Sequence, residues 1–286
     1  MSLRVASLGS GSQGNSFLIE TDSTCVLVDA GFSGVQLEAR VDALGVCPES
    51  VDAVIVSHEH QDHVRGIGVA ARRWGWPLVM NTLTHSACSG LLSGQETVIR
   101  LPVEGMSVGD LLVEPTSTCH DAADPVCMVL QQVSTDLRVG VATDLGRPTT
   151  PVRAALKDLD FLIVEANHDD RMLRSGPYPW SVKERIGGTR GHLSNRHTRE
   201  LVAEIAHRRL GGILLAHLSG ECNDPLLAVD CVGEGLSGTG FDGVLAAAAQ
   251  ETSGEKYDVA ALAARTGGTV QASLFPPGEP GGPTRA

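Results

Sequence analysis

The chain has 286 residues, 42% of them hydrophobic and 20% charged, with a mean hydropathy of +0.04; disordered, collagen-like and membrane-spanning readings are thereby excluded. Its 34 Asp+Glu against 22 Lys+Arg leave a formal charge of −12, so contact with a nucleic acid would need a local basic surface. In chain order, the pattern predicts strands over residues 4–8, 17–20 and 25–29, a helix over 33–44, and a strand over 51–57. A helix over 68–75, a strand over 78–80 and a helix over 84–92 follow, then a strand over 137–143, a helix over 151–159 and a strand over 161–165. Helix 195–210, strand 212–217 and helix 225–236 complete the series. Strands and helices mixed along the whole chain indicate an α/β layered domain.

Residues 1–274 are expected to form one domain, and the Pro/Gly-rich stretch 275–286 a disordered tail. No internal repeat is visible. The seven cysteines are odd in number, contain no Cys-x-x-Cys pair and mostly sit in apolar stretches such as Thr24-Cys25-Val26-Leu27, which reads as a reduced chain. The Met-Ser-Leu-Arg-Val-Ala-Ser start lacks a signal-peptide pattern, and no run reaches the roughly 18 apolar residues of a membrane span. A cytoplasmic protein without membrane contact is the expectation.

After the predicted strand 51–57 comes His58-Glu59-His60-Gln61-Asp62-His63. In an extended segment His58 and His60 point to the same side and can grip one metal, while Asp62 and His63 turn toward a second. A single buried histidine is usually a satisfied core residue. Three with an aspartate inside six positions at a strand end have no packing rationale. Further donors stand at other element ends: His120 in Thr118-Cys119-His120-Asp121, Asp144 after 139–143, and His217 after 212–216. Carboxylate combined with imidazole suits Zn²⁺, Mn²⁺ or Fe²⁺.

With these residues the chain resembles the metallo-β-lactamase superfamily. The resemblance implies an αββα sandwich of two mixed β-sheets flanked by helices, with two divalent metal ions at one edge. His58, His60 and His120 would hold the first metal, Asp62, His63 and His217 the second, and Asp144 would bridge them. No ligand position is lost.

The opening Leu8-Gly9-Ser10-Gly11-Ser12-Gln13-Gly14-Asn15-Ser16 follows a strand but leads to no helix or Lys, so it is not a P-loop. It reads either as a tight turn or as backbone N–H groups near a phosphate or the metal cleft, with Ser10, Ser12 and Asn15 as candidate substrate contacts. Within the superfamily this beginning resembles the YycJ/WalJ-type branch, regarded as nuclease-like, with 5′-to-3′ exonuclease activity on duplex DNA attributed to it. The pieces Glu165-Ala166-Asn167-His168, Tyr178-Pro179, Gly191-His192-Leu193-Ser194-Asn195 and Ala216-His217-Leu218-Ser219 extend the similarity to about position 223. Ala166 and the Cys222-Asn223 pair depart from the pattern without removing a ligand.

The same region resembles the tRNA-processing nucleases, in which a strand-end Glu orients a His ahead of the last metal-binding His; Glu165 and His192 match. The implied mechanism is attack of a metal-activated hydroxide on phosphorus, with Asp62 orienting the water or taking its proton. His192, held by Glu165, would serve as proton donor, and His168 is the open alternative. His85, His197 and His207 read as surface or helix histidines.

Between positions 171 and 209 lie nine Arg/Lys against three Glu, a local basic stretch around His192 that suits a polyanion. Arg185, Arg190 and Asn195 are its candidate substrate contacts. Aromatics make up only 3% of the chain, which speaks against extensive base stacking. The expected function is a DNA exonuclease, that is, a metal-dependent phosphodiesterase. A small-substrate hydrolase (thioesterase, lactonase or cyclic phosphodiesterase) is the alternative, and a nucleic-acid-binding regulator with a structural metal site ranks below both. No protein partner is readable, and a homodimer stays open.

Overall fold

The strands are near-continuous apolar runs because most are covered on both faces. In the computed structural model, which describes residues 2–265 and the backbone of 271–273, they build two sheets. The first takes β1 (Leu3–Gly9), β2 (Ser16–Thr21), β3 (Cys25–Val28), β4 (Ala53–Ile55), β5 (Leu78–Met80) and β6 (Val98–Arg100) in that spatial order. The second runs β7 (Met106–Val108), β8 (Leu111–Ser117), β9 (Val126–Gln132), β10 (Arg138–Ala142), β11 (Phe161–Glu165), β12 (Gly212–Ala216) and β13 (Val244–Ala247). β14 (Tyr257–Asp258) pairs with β1, and β15 (Gln271–Ser273) pairs with β13. Each sheet is antiparallel in one part and parallel in another, with β3 to β6 and β10 to β13 parallel.

The period of two along each strand sorts side chains into separate cores. Val26 and Val28 of β3, Phe161 and Ile163 of β11, and Leu214 and Ala216 of β12 meet between the sheets. Their neighbours Cys25 and Leu27 turn to an outer helical layer, while Leu162, Val164, Ile213 and Leu215 turn to the other. The layers are α1 (Gly34–Ala43), α2 (Gln61–Val64), α3 (Ile67–Trp74) and α4 (Thr82–Ala87) on the first side, then α5 (Thr150–Ala155), α6 (Asp170–Ser175), α7 (Trp180–Ile186), α8 (Asn195–Ile205) and α9 (Pro225–Leu236). A short α10 (Val259–Ala263) follows β14. This is the αββα sandwich.

Several boundaries differ from the sequence pattern. β4 stops at Ile55 because the Ser57 N–H is taken by the Asp29 carboxylate at 2.8 Å rather than by a ladder, so His58 and His60 lie in a loop and not in an extended strand. Strands β7 and β8 escape a hydropathy reading because their faces are half exposed. α7 escapes it because none of its residues is buried. Residues 266–270 and 274–286, including the expected tail from 275, lie outside the described residues.

All seven cysteines are free, and burial pushes the thiols of Cys25, Cys88 and Cys127 up to about 12. They are therefore poor nucleophiles. Among the described residues no helix is long and apolar enough to cross a membrane.

Candidate metal centre

Donor groups gather at one edge of the sandwich because that is where parallel strands from both sheets end. Asp29 follows β3, His58 to His63 follow β4, His120 follows β8, Asp144 follows β10, Glu165 closes β11 and His217 follows β12. Three of these, Asp29, Asp144 and His217, have left-handed backbone with φ of 62°, 56° and 54°. Such conformations cost about 1–3 kcal/mol and persist only where the surroundings dictate them. At His217 the dictating contact is its own N–H, donated to Ser10 Oγ at 2.8 Å.

Each histidine but one is gripped by the scaffold through one ring nitrogen, which aims the other at a common centre. His63 Nδ1 lies 2.7 Å from the Asp29 carboxylate, His120 Nδ1 lies 2.9 Å from the Gly191 carbonyl, and His217 Nδ1 lies 3.1 Å from Glu165 Oε1. His58 Nδ1 meets Ser57 Oγ at 3.0 Å. The inward atoms then crowd one another: His120 Nε2 is 3.2 Å from His60 Nδ1, His217 Nε2 is 3.0 Å from Asp62 Oδ2, and His63 Nε2 is 3.1 Å from Asp144 Oδ2. His58, His60 and His120 form one group whose donor atoms lie within 4.8 Å of each other, and Asp62, His63 and His217 form another. Asp144 sits with His58 and His63 in a third such group, between the two.

Two inward atoms are buried without a hydrogen bond from the scaffold: His58 Nε2 has no partner, and Asp144 Oδ2 meets only the inward His63 Nε2. A buried polar atom left unpaired costs about 1–3 kcal/mol, a penalty that a coordinated cation removes. Orphaned donors, imidazole plus carboxylate chemistry and outer nitrogens already engaged all fit divalent metal ions.

The charge pattern matches that reading. Burial would lower His217, but Asp144, Asp62 and Glu165 around it raise it to about 10. Burial likewise opposes the charged form of His192, yet Glu165 and Asp144 raise it to about 9. Asp144 would be raised by burial, but His217 and His63 hold it well below the usual carboxylate range. Burial, with His63 adding to it, keeps His58 well below an ordinary histidine.

Glu165 is fully buried. Its Oε2 accepts from the N–H groups of Leu145 and Leu193, both at 3.0 Å, and its Oε1 is shared between His192 Nδ1 at 2.7 Å and His217 Nδ1. One carboxylate therefore orients two histidines. His192 opens onto a cavity of about 280 Å³, together with His60, Asp62, Asp144, His217, Ser12 and Arg185. The Arg185 Nε donates to Asp121 at 2.7 Å.

Other expected site residues lie elsewhere. Ser10 is buried and donates to Asn15 Oδ1 at 2.7 Å, while Asn15 Nδ2 donates to the Gly11 carbonyl at 3.0 Å. These two build the turn that braces His217 and Asp62, and Ser12 alone of the three lines the cavity. Asn195 is buried in a reciprocal amide pair with Asn223 at 2.8 and 2.9 Å, which ties α8 to the start of α9. His168 is buried off the cavity, with Asn167 Oδ1 3.3 Å from its Nδ1, and burial lowers it to about 4. Arg190 is exposed and donates to the His120 carbonyl at 3.2 Å.

The basic stretch does not form one surface on the cavity: Arg196 pairs with Asp170 and Glu200, Arg199 with Glu234 and Arg209 with Asp160. Asp29, Ser57 and Asn167 were not anticipated. Asn167 lines the cavity and donates to the His217 carbonyl at 2.8 Å. The signal for Asp29 was available: Leu27-Val28-Asp29-Ala30-Gly31 ends a strand in an acid just as Val141-Ala142-Thr143-Asp144 does.

Comparisons with known proteins agree with this geometry. Residues 9–131 match the model of the metallo-beta-lactamase superfamily. The exodeoxyribonuclease WalJ of Streptococcus pneumoniae is 35% identical over 77% of this chain and 83% of its own length. The exodeoxyribonuclease YycJ of Bacillus anthracis is 34% identical over 84% of this chain and 92% of its own. Among solved structures, the metallo-beta-lactamase fold protein YhfI of Bacillus subtilis superposes with a TM-score of 0.68 at 19% identity, over 90% of this chain and 100% of the other.

Proposed function

Since the chain belongs to the metallo-β-lactamase superfamily, in its WalJ/YycJ-type branch, we propose that it is a dinuclear metal-dependent phosphodiesterase that degrades duplex DNA as a 5′-to-3′ exonuclease. The observation that carries this reading is the pair of three-histidine-or-acid groups, each within 4.8 Å, flanking Asp144 beside an open cavity. His58, His60 and His120 would hold one cation, Asp62, His63 and His217 the other, and Asp144 would stand between them. Zn²⁺ and Mn²⁺ both suit this donor set. When bound, two such ions supply Lewis acidity toward phosphate oxygens and bring the pKa of water toward neutrality.

The protein's own groups supply the rest. Glu165 fixes the His192 ring through Nδ1, which leaves Nε2 to carry a proton to the leaving oxygen. Asp62 Oδ2, 3.0 Å from His217 Nε2, orients the attacking water. Arg185, pinned at Nε by Asp121, keeps its two terminal amino groups for a substrate phosphate. Ser12, in the glycine-rich turn, lies on the same cavity wall, where its hydroxyl can contact substrate. His168, buried off the cavity, has no part in proton transfer in this scheme.

The test is digestion of 5′- and 3′-labelled duplex DNA, matched single strands and RNA, with Zn²⁺ and Mn²⁺ supplied separately and Asp144→Ala as control. Shortening of duplex DNA from its 5′ ends, absent in the control, is the expected result. Two bound ions with no cleavage of any polymer would refute it.

A further inference from the structure

Aromatic side chains are few in this protein, and the fold hides most of them. Phe17, Phe32, Phe161, Phe241, Trp76 and Tyr257 are buried, and Trp74 stacks on Trp76 with ring centroids 4.8 Å apart. Among the described residues, Tyr178 and Trp180 are the exceptions. Trp180 is 66% exposed, Tyr178 lines the cavity that holds His192, and neither ring has an aromatic or cationic partner among the described residues. Both stand at the start of α7, the helix with no buried residue. Core packing therefore does not account for two large rings there.

The surroundings indicate what could cover them. α7 also carries Lys183 and Arg185, and Arg185 and Ile186 continue the cavity wall begun by Tyr178. The end of α7 is tied to the proton-carrying loop, for the His192 N–H donates to the Ile186 carbonyl at 2.8 Å. A ring on the cavity wall with Arg185, and a second, exposed ring two positions further on, match the requirements of a nucleic-acid strand that enters the cavity from α7, whose bases need stacking partners and whose backbone needs positive charge. Stacking tolerates every base, as an enzyme that removes nucleotides regardless of sequence requires.

We propose that Tyr178 and Trp180 form a stacking platform for the bases nearest the strand end being cleaved, so that α7 positions that end in the cavity. The proposal rests on the nuclease reading and goes beyond it by assigning residues that read the end. It also locates base stacking on two residues of a chain whose low aromatic content argued against it.

The test compares Tyr178→Ala and Trp180→Ala with Tyr178→Phe and Trp180→Phe in the full chain loaded with Mn²⁺. The substrates are an intact duplex and the same duplex with abasic residues at its two 5′-terminal positions. Each alanine variant is expected to raise KM on intact DNA about tenfold, within the range that loss of one stacked base gives, with the loss falling on KM rather than kcat. The phenylalanine variants should restore it. On the abasic duplex wild type and alanine variants should converge. Wild-type KM in both alanine variants, as expected if the rings dock a partner protein instead, would overturn the proposal. Equal losses on intact and abasic DNA would overturn it too, because the role would then be structural. A wild-type enzyme inert toward all DNA would instead sink the nuclease reading, and this inference with it.

Discussion

At the residue scale, the centre depends on outer contacts as much as on the inward atoms. Asp29 touches no part of the cavity lining, yet it holds Ser57 and His63 through both carboxylate oxygens at 2.7–2.8 Å. Asp29→Ala is expected to weaken metal binding about 10- to 100-fold, to be read by titration with a fluorescent chelator. His60→Ala or Asp144→Ala should abolish DNA cleavage with the circular dichroism spectrum retained, because both side chains face the cavity rather than the cores. Glu165→Gln keeps the shape of the side chain but removes the charge that His192 and His217 share. Its kcat should fall about 10²- to 10⁴-fold, and a kcat within twofold of wild type would remove His192 from the proton-transfer role.

At the element scale, the connections between strand ends and helices set the geometry. Gly31 shows how closely they pack: a Cβ there would stand 1.7 Å from the Asp62 carbonyl oxygen. Any side chain at position 31 must push Asp62 and Asn15 apart. Helix α9 is anchored differently, by Asp224 at its N-cap, whose carboxylate accepts from the N–H groups of Leu226 and Leu227. Asp224→Ala should cost about 1 kcal/mol, seen as a lower midpoint in urea, without changing kcat. α7 is the opposite case, an element with no core face whose position comes from the Ile186–His192 and Arg185–Asp121 contacts.

At the scale of the whole molecule, fold stability and metal content are linked through protons. In the metal-free protein His192 and His217 are raised to about 9 and about 10 from an ordinary 6.5. A raised histidine binds its proton more tightly folded than unfolded, so its contribution is complete below pH 6.5 and is lost as pH climbs toward 10. Melting temperatures in EDTA should therefore fall over that window. The metal-loaded protein should show the reverse trend on its acid side, because coordination needs neutral imidazole and protons compete with the cation. Excess Zn²⁺ or Mn²⁺ should raise the melting temperature at pH 7 by binding only the folded state, and identical melting curves with and without EDTA would refute the metal assignment.

Local adjacency made much of the centre legible in the sequence. His58, His60, Asp62 and His63 are neighbours along the chain, and Asp144 and His217 each follow an apolar strand, so pattern alone singled them out; for the fold it indicated only an α/β layered domain, and the two sheets flanked by helices came with the family resemblance. The sequence could not say which way a side chain faces when its partners are distant. Asn195 looked like a substrate contact until its amide was found locked to Asn223, and Ser10 and Asn15 until the turn they brace was seen. The resemblance already pointed to His192 held by Glu165, 27 positions before it, with His168 as the alternative; tertiary structure adds that the Glu165 carboxylate meets the His192 ring at 2.7 Å, while His168 is buried off the cavity. Ligand type is a property of the residue, whereas its orientation and charge come from contacts made 20 to more than 200 positions away. Those contacts exist only once both sheets have packed.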